Sequence, residues 1–83
     1  MYRAVLSRIA ERDLQKVNKE NKSRIFAALF DLKKDPYLGK KLKGKFSECY
    51  SLRVSQYRII YKIYKTKLTI LIIRVGPRQG VYR

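Results

Sequence analysis

The sequence predicts an α+β domain: an N-terminal helical hairpin packed on one face of a mainly antiparallel sheet of about four strands. Three observations carry that expectation. Apolar residues recur at helical spacing up to Lys34, and they alternate with period two from Phe46 onward. Between the two regimes lie Asp35-Pro36 and a basic loop punctuated by glycines. At 83 residues the chain has room for one small core, so a single domain spanning 1–83 is expected.

The elements follow in order. Tyr2–Leu6 is a short strand candidate of mixed pattern. Ser7 is placed to cap a helix running to about Asn18, with Ala10, Leu14 and Val17 on one face. Asn21 is placed to cap a second helix to about Lys34, in which Ile25, Ala28, Leu29 and Leu32 recur. Lys33 and Lys34 suit the negative end of the helix dipole, and Asp35-Pro36 stops the helix. After the loop Pro36–Lys45, the alternation in Phe46–Val54 sets Phe46, Tyr50, Leu52 and Val54 against Ser47, Cys49, Ser51 and Arg53. Tyr57–Tyr64 alternates likewise, and Leu68–Val75 is nearly continuous Ile and Leu, as a central strand would be.

Charge narrows the function. Twenty-one Lys and Arg against six Asp and Glu leave a net +15, and residues 40–83 carry +11 of it with Glu48 as their one acid. Seven Tyr and three Phe interleaved with the charges argue against a disordered basic tail. A field of one sign over half a small domain repels itself, so a polyanionic partner is expected. Nucleic acid ranks first because phosphate neutralisation dominates such binding, an anionic membrane surface second, an acidic protein third. The chain has no histidine, which removes His-based triads and proton relays. Its lone Cys49 excludes an internal disulfide framework, and with no patterned His or Asp beside it reads as structural. No apolar run approaches a membrane span, and the first residues lack a signal-peptide core. The expectation is a soluble, intracellular, cationic domain.

The hairpins turn charge into geometry. Ser55-Gln56 between two alternating strands suggests a tight turn, which pairs Val54 with Tyr57, Leu52 with Ile59 and Tyr50 with Tyr61. All these apolar pairs then share a face, and Arg53 stands opposite Arg58 on the other. If Lys65, Thr66 and Lys67 form the next loop, Arg58 is opposite Arg74, giving a row of three arginines across the sheet. Like charges directly opposite are destabilising. Such a row is either a solvated cationic face, each guanidinium splayed toward water, or an anion site; its place beside a basic loop and before Arg78 favours the anion site, for which the planar guanidinium fork is suited.

The segments LGKKLKGKFSECYSLRV and YRIIYKIY and the tail RVGPRQGVYR resemble the RelE/ParE superfamily of bacterial and archaeal toxins, and with the helical hairpin the resemblance spans the chain. It implies the RelE-like fold and a toxin of a type II toxin–antitoxin system. In the RelE-like branch that toxin is a metal-independent endoribonuclease that cuts mRNA in the ribosomal A site. The ParE-like branch instead poisons DNA gyrase, and a non-catalytic nucleic-acid-binding module is a further alternative. Carried onto this sequence, the catalytic set is Arg53, Arg58, Arg78 and Tyr82, with Lys43, Lys45, Ser51 and Arg74 as RNA-binding residues. Ser51 stands where some members have lysine, and Pro77 precedes Arg78 where many have a basic residue. RNA supplies its own nucleophile, the 2′-hydroxyl, so no cofactor or metal is implied. The implied partners are a cognate RelB-like antitoxin, the ribosome and mRNA, with no membrane, in the cytoplasm.

Overall fold

The computed structural model describes residues 1–77. Strand β1 (Arg3–Leu6) leads into helices α1 (Arg8–Gln15) and α2 (Lys19–Lys34), followed by β2 (Lys40–Lys41), β3 (Tyr50–Val54), β4 (Tyr57–Tyr64) and β5 (Thr69–Pro77). Short 3₁₀ turns occupy Pro36–Leu38 and Gly44–Phe46. The sheet order is β1-β5-β4-β3-β2, with β1 parallel to β5 and every other pair antiparallel. Among the described residues the sheet therefore has five strands rather than about four, the fifth being the two-residue β2. The α+β class and the helix-on-sheet architecture are those expected.

Both helices supply apolar side chains to one face of the sheet. Ala10, Leu14, Val17, Ile25, Leu29 and Leu32 pack with Ile59, Tyr61, Ile70, Ile72 and Val75. Ser7 caps α1 as expected: its Oγ accepts from the Ala10 N–H (3.0 Å) and donates to the Ile73 carbonyl (2.8 Å), joining the helix start to β5. The second cap is Asn18, not Asn21. Asn18 is extended (φ −67°, ψ 163°), and its Oδ1 accepts the Asn21 N–H at 2.9 Å, so Asn21 is already helical. Helix α1 correspondingly ends at Gln15, and Val17 turns inward as a buried plug between the helices.

Phe46 departs from its expected strand. Gly44 takes a left-handed φ of 70° and Ser47 is αR, so the chain coils through a 3₁₀ turn and the strand starts only at Tyr50. The coil brings Phe46, with Leu42, over Cys49, Ile60 and Ile73. These five form a small apolar cluster on the face opposite the helices. Cys49, expected on a polar face, is buried there at 6% exposure.

Candidate functional site: a cationic sheet face

The turn Ser55-Gln56 forms the tight β3–β4 hairpin, with Ser55 at φ 57°. The register is the expected one: Val54 pairs with Tyr57, Arg53 with Arg58, Leu52 with Ile59 and Tyr50 with Tyr61. Side chains alternate across a strand, so Arg53 and Arg58 share the face away from the helices. Arg53 is exposed at the outer strand, whereas Arg58 is half-buried on β4. One Arg58 nitrogen, Nη1, donates to Ser51 Oγ at 3.2 Å, and Ser51 is only 6% exposed. Ser51 thus steadies a guanidinium in this structure.

Arg74 does not complete the row. The β4–β5 loop takes four residues, 65–68, so Tyr64 pairs with Thr69. A bulge then intervenes, with Tyr61 opposite Ile72 but Ile60 opposite Arg74. Arg58 faces Gly76, and the expected Arg58–Arg74 pair is absent. Arg74 turns instead to helix α1, where Nε lies 3.0 Å and Nη2 3.4 Å from the Asp13 carboxylate. The same carboxylate accepts the Val75 N–H at 2.9 Å. The sequence reading missed Asp13, although it left a signal: with Ala10, Leu14 and Val17 it falls at i+3 in the helix's apolar stripe, where an acid needs a partner.

Lysines border the arginine pair. Lys43 and Lys45 are exposed on the turn preceding β3. Lys40 pairs with Ser51, which puts it on the Ser51 face, and Lys41 pairs with Tyr50 on the helix side. Arg78 and Tyr82 lie outside the described residues; the last described one, Pro77, pairs with Tyr57, next to Arg58. Burial, the largest influence, pushes the Cys49 thiol up from its usual pKa, with Lys62 opposing, the direction that disfavours a reactive thiolate. Among the described residues no three His, Cys, Asp or Glu side chains gather to hold a metal, and no helix is long and apolar enough to cross a membrane. Chemically, such a face offers the guanidiniums of two paired residues to an oxyanion such as a phosphate.

Comparison with known proteins agrees with this architecture. A family profile described as the ParE toxin of the type II toxin–antitoxin system parDE matches residues 4–82. Toxin RelG of Mycobacterium tuberculosis is 33% identical over 88 residues, covering 99% of this chain and 97% of RelG. The toxin–antitoxin complex RelBE2 from the same organism contains a chain that superposes with a TM-score of 0.88 at 30% identity, covering 93% of this chain and 98% of the other. The isolated E. coli RelE toxin matches in fold, with a TM-score of 0.82 at 24% identity over 99% of this chain and 92% of RelE. The chain belongs to the RelE/ParE superfamily and is a toxin of a type II toxin–antitoxin system.

Proposed function

We propose that this toxin is a ribosome-dependent endoribonuclease that cuts mRNA in the A site. The observation carrying the reading is the Arg53–Arg58 pair on the uncovered sheet face, with Arg58 steadied by Ser51. In the proposed step the 2′-hydroxyl attacks the adjacent phosphorus, the bond to the 5′ oxygen breaks, and a 2′,3′-cyclic phosphate and a free 5′-hydroxyl result. Arg53 and Arg58 hold the phosphate and its added negative charge. Tyr82 is assigned to the attacking side, as base or as the ring on which the nucleotide stacks, and Arg78 to the leaving oxygen. Lys43 and Lys45 grip RNA backbone. Arg74, paired with the Asp13 carboxylate at 3.0 Å, is held to helix α1 and is given no phosphate contact of its own.

The antitoxin partner of this reading finds a surface on the other flank. Among the described residues strand β1 is an edge of the sheet, and beside it Ala4, Leu6, Phe26, Leu29, Phe30 and Lys33 line an open groove of about 250 Å³. Phe26 and Phe30 are about half exposed, and Lys34 Nζ lies 4.5 Å from the Phe30 ring centre. An amphipathic, acidic segment suits such a groove. Cytoplasmic residence follows from a ribosomal target.

Toeprinting of a translating message tests the reading. The wild-type protein should cut within the A-site codon, and Arg58→Ala should lower the rate on the order of 10²–10³. Uncut message together with trapped gyrase–DNA cleavage complexes would assign the protein to the gyrase-poisoning branch.

A further inference from the structure

Tyr37 is 47% exposed, yet both its backbone and its ring have partners. It sits in the 3₁₀ turn after α2, where its N–H donates to Asp35 Oδ1 at 3.0 Å. The backbone on both sides is clamped by one buried hydroxyl. Tyr61 Oη donates to the Pro36 carbonyl (2.7 Å) and accepts the Gly39 N–H (3.0 Å). A Cβ on Gly39 would come within 2.5 Å of that hydroxyl and 2.9 Å of the Ser51 carbonyl, so the clamp requires glycine there. The rings continue the support. Tyr50 stacks on Tyr61 at 5.6 Å and 20°, and Tyr37 meets Tyr50 at 5.9 Å and 77°.

Cations surround the ring this ladder presents. Lys65 Nζ lies 5.7 Å from its centre, and the Tyr37 side chain, the first cause, raises the Lys65 pKa above its ordinary value. Lys41, opposite Tyr50, is on the same side of the sheet as the ladder. A half-exposed aromatic, rigidly held and flanked by lysines, matches what unpaired nucleotides require: a flat surface for the base and positive charge for the phosphates. Rigidity matters because a pre-ordered side chain loses little entropy on binding. Six residues of β4, 59–64, lie between Arg58 and Lys65, about 23 Å of extended strand at ~3.3 Å per residue, and Tyr50 and Tyr61 of the ladder stand on the helix side of the sheet, the face opposite the arginine pair.

We infer that Tyr37 is a stacking platform for an unpaired RNA base, with Lys65 and Lys41 on the flanking phosphates, forming a second RNA contact distinct from the arginine pair. This deepens the RNA-directed reading above and rests on it. Its test is binding of a fluorescent 2′-O-methyl uridine dodecamer, which cannot supply the attacking hydroxyl, measured over a salt series. Tyr37→Ala should weaken binding about 5- to 150-fold at every salt concentration, because stacking releases no counterions. Tyr37→Phe should bind like wild type. Tyr37→Leu, which keeps an apolar contact with Tyr50, should bind as weakly as the alanine variant and guards against a folding artefact. Lys65→Ala should instead flatten the salt dependence by about one unit of slope. Wild-type affinity in Tyr37→Ala, or equal losses in the Phe and Ala variants, would overturn the inference, as would a Tyr37→Ala defect confined to antitoxin binding. If the wild type still cuts messages on ribosomes in those cases, only the platform is refuted; if it traps gyrase instead, the RNA reading itself falls.

Discussion

The two faces of the sheet are built from neighbouring residues of the same strands and meet opposite fates. On β4, Ile59 and Tyr61 point under the helices and are fully buried. Arg58 and Lys62, one residue away, point to the uncovered face and remain partly accessible. That second face is itself divided: the loop before β3 seals Ile60 and Cys49 beneath Leu42 and Phe46, leaving the arginine end open. Period-two alternation lets one strand supply both core and charge. Stability and activity are thereby separated by a single peptide unit, and substitutions at adjacent positions should break one without the other.

The largest effect on stability is expected at Ile59→Ala. Removing a fully buried branched side chain from the middle of the sheet should cost about 2–5 kcal/mol, read by urea unfolding. The neighbouring Arg58→Ala, which loses message cleavage in the proposed mechanism, should cost about 1 kcal/mol or less in the same titration. Equal destabilisation by both would mean that the two faces are not energetically separate.

Asp13→Ala sharpens the comparison from the helix side. It leaves the Val75 N–H and the Arg74 guanidinium without their acceptor, and should cost about 1–3 kcal/mol. It should also steepen the salt dependence of RNA binding, because a cation held by a helix is released to the sheet. An unchanged salt slope would show that Arg74 stays away from RNA even without the Asp13 carboxylate.

A smaller effect than that of Asp13→Ala belongs to Tyr61→Phe, which keeps the ring and removes the clamp on the Pro36–Gly39 turn, at a cost of about 1 kcal/mol. Its signature is the pH dependence. Burial, the chief cause, pushes the Tyr61 hydroxyl up to about 12 from 10.0, so folding favours the neutral form. That contribution is whole below pH 10 and disappears as the pH rises through 12. Wild type should therefore lose its advantage over Tyr61→Phe across that window; a constant difference would place the effect in packing rather than in the hydroxyl.

Where local chemistry is strong, the chain is legible. The cap at Ser7, the stop at Asp35-Pro36 and the Ser55-Gln56 turn each act over a few residues, so the Arg53–Arg58 pairing follows from spacing alone. The Asn18 cap was harder to read because Asn18 and Asn21 offer equivalent side chains one turn apart. Which of them begins the helix depends on where Val17 can be buried.

By itself the sequence determined the α+β class, the boundary between helical and extended halves, the net cationic character and the arginine pair, all of which rest on periodicity, turn chemistry and composition. Only tertiary structure decided the fate of Arg74. A bulge opposite Ile60 and Tyr61 shifts the β4–β5 register, and the bulged strand is secured by a carboxylate 61 positions away in the sequence. Tertiary structure likewise decided that Cys49 and Phe46 would be covered and that Tyr37 would be held half in solvent, clamped by a tyrosine 24 residues further on. The physical reason is the same in each case. Local rules set what a segment does with its neighbours in the chain, whereas burial and the satisfaction of charges depend on what the folded chain brings against it.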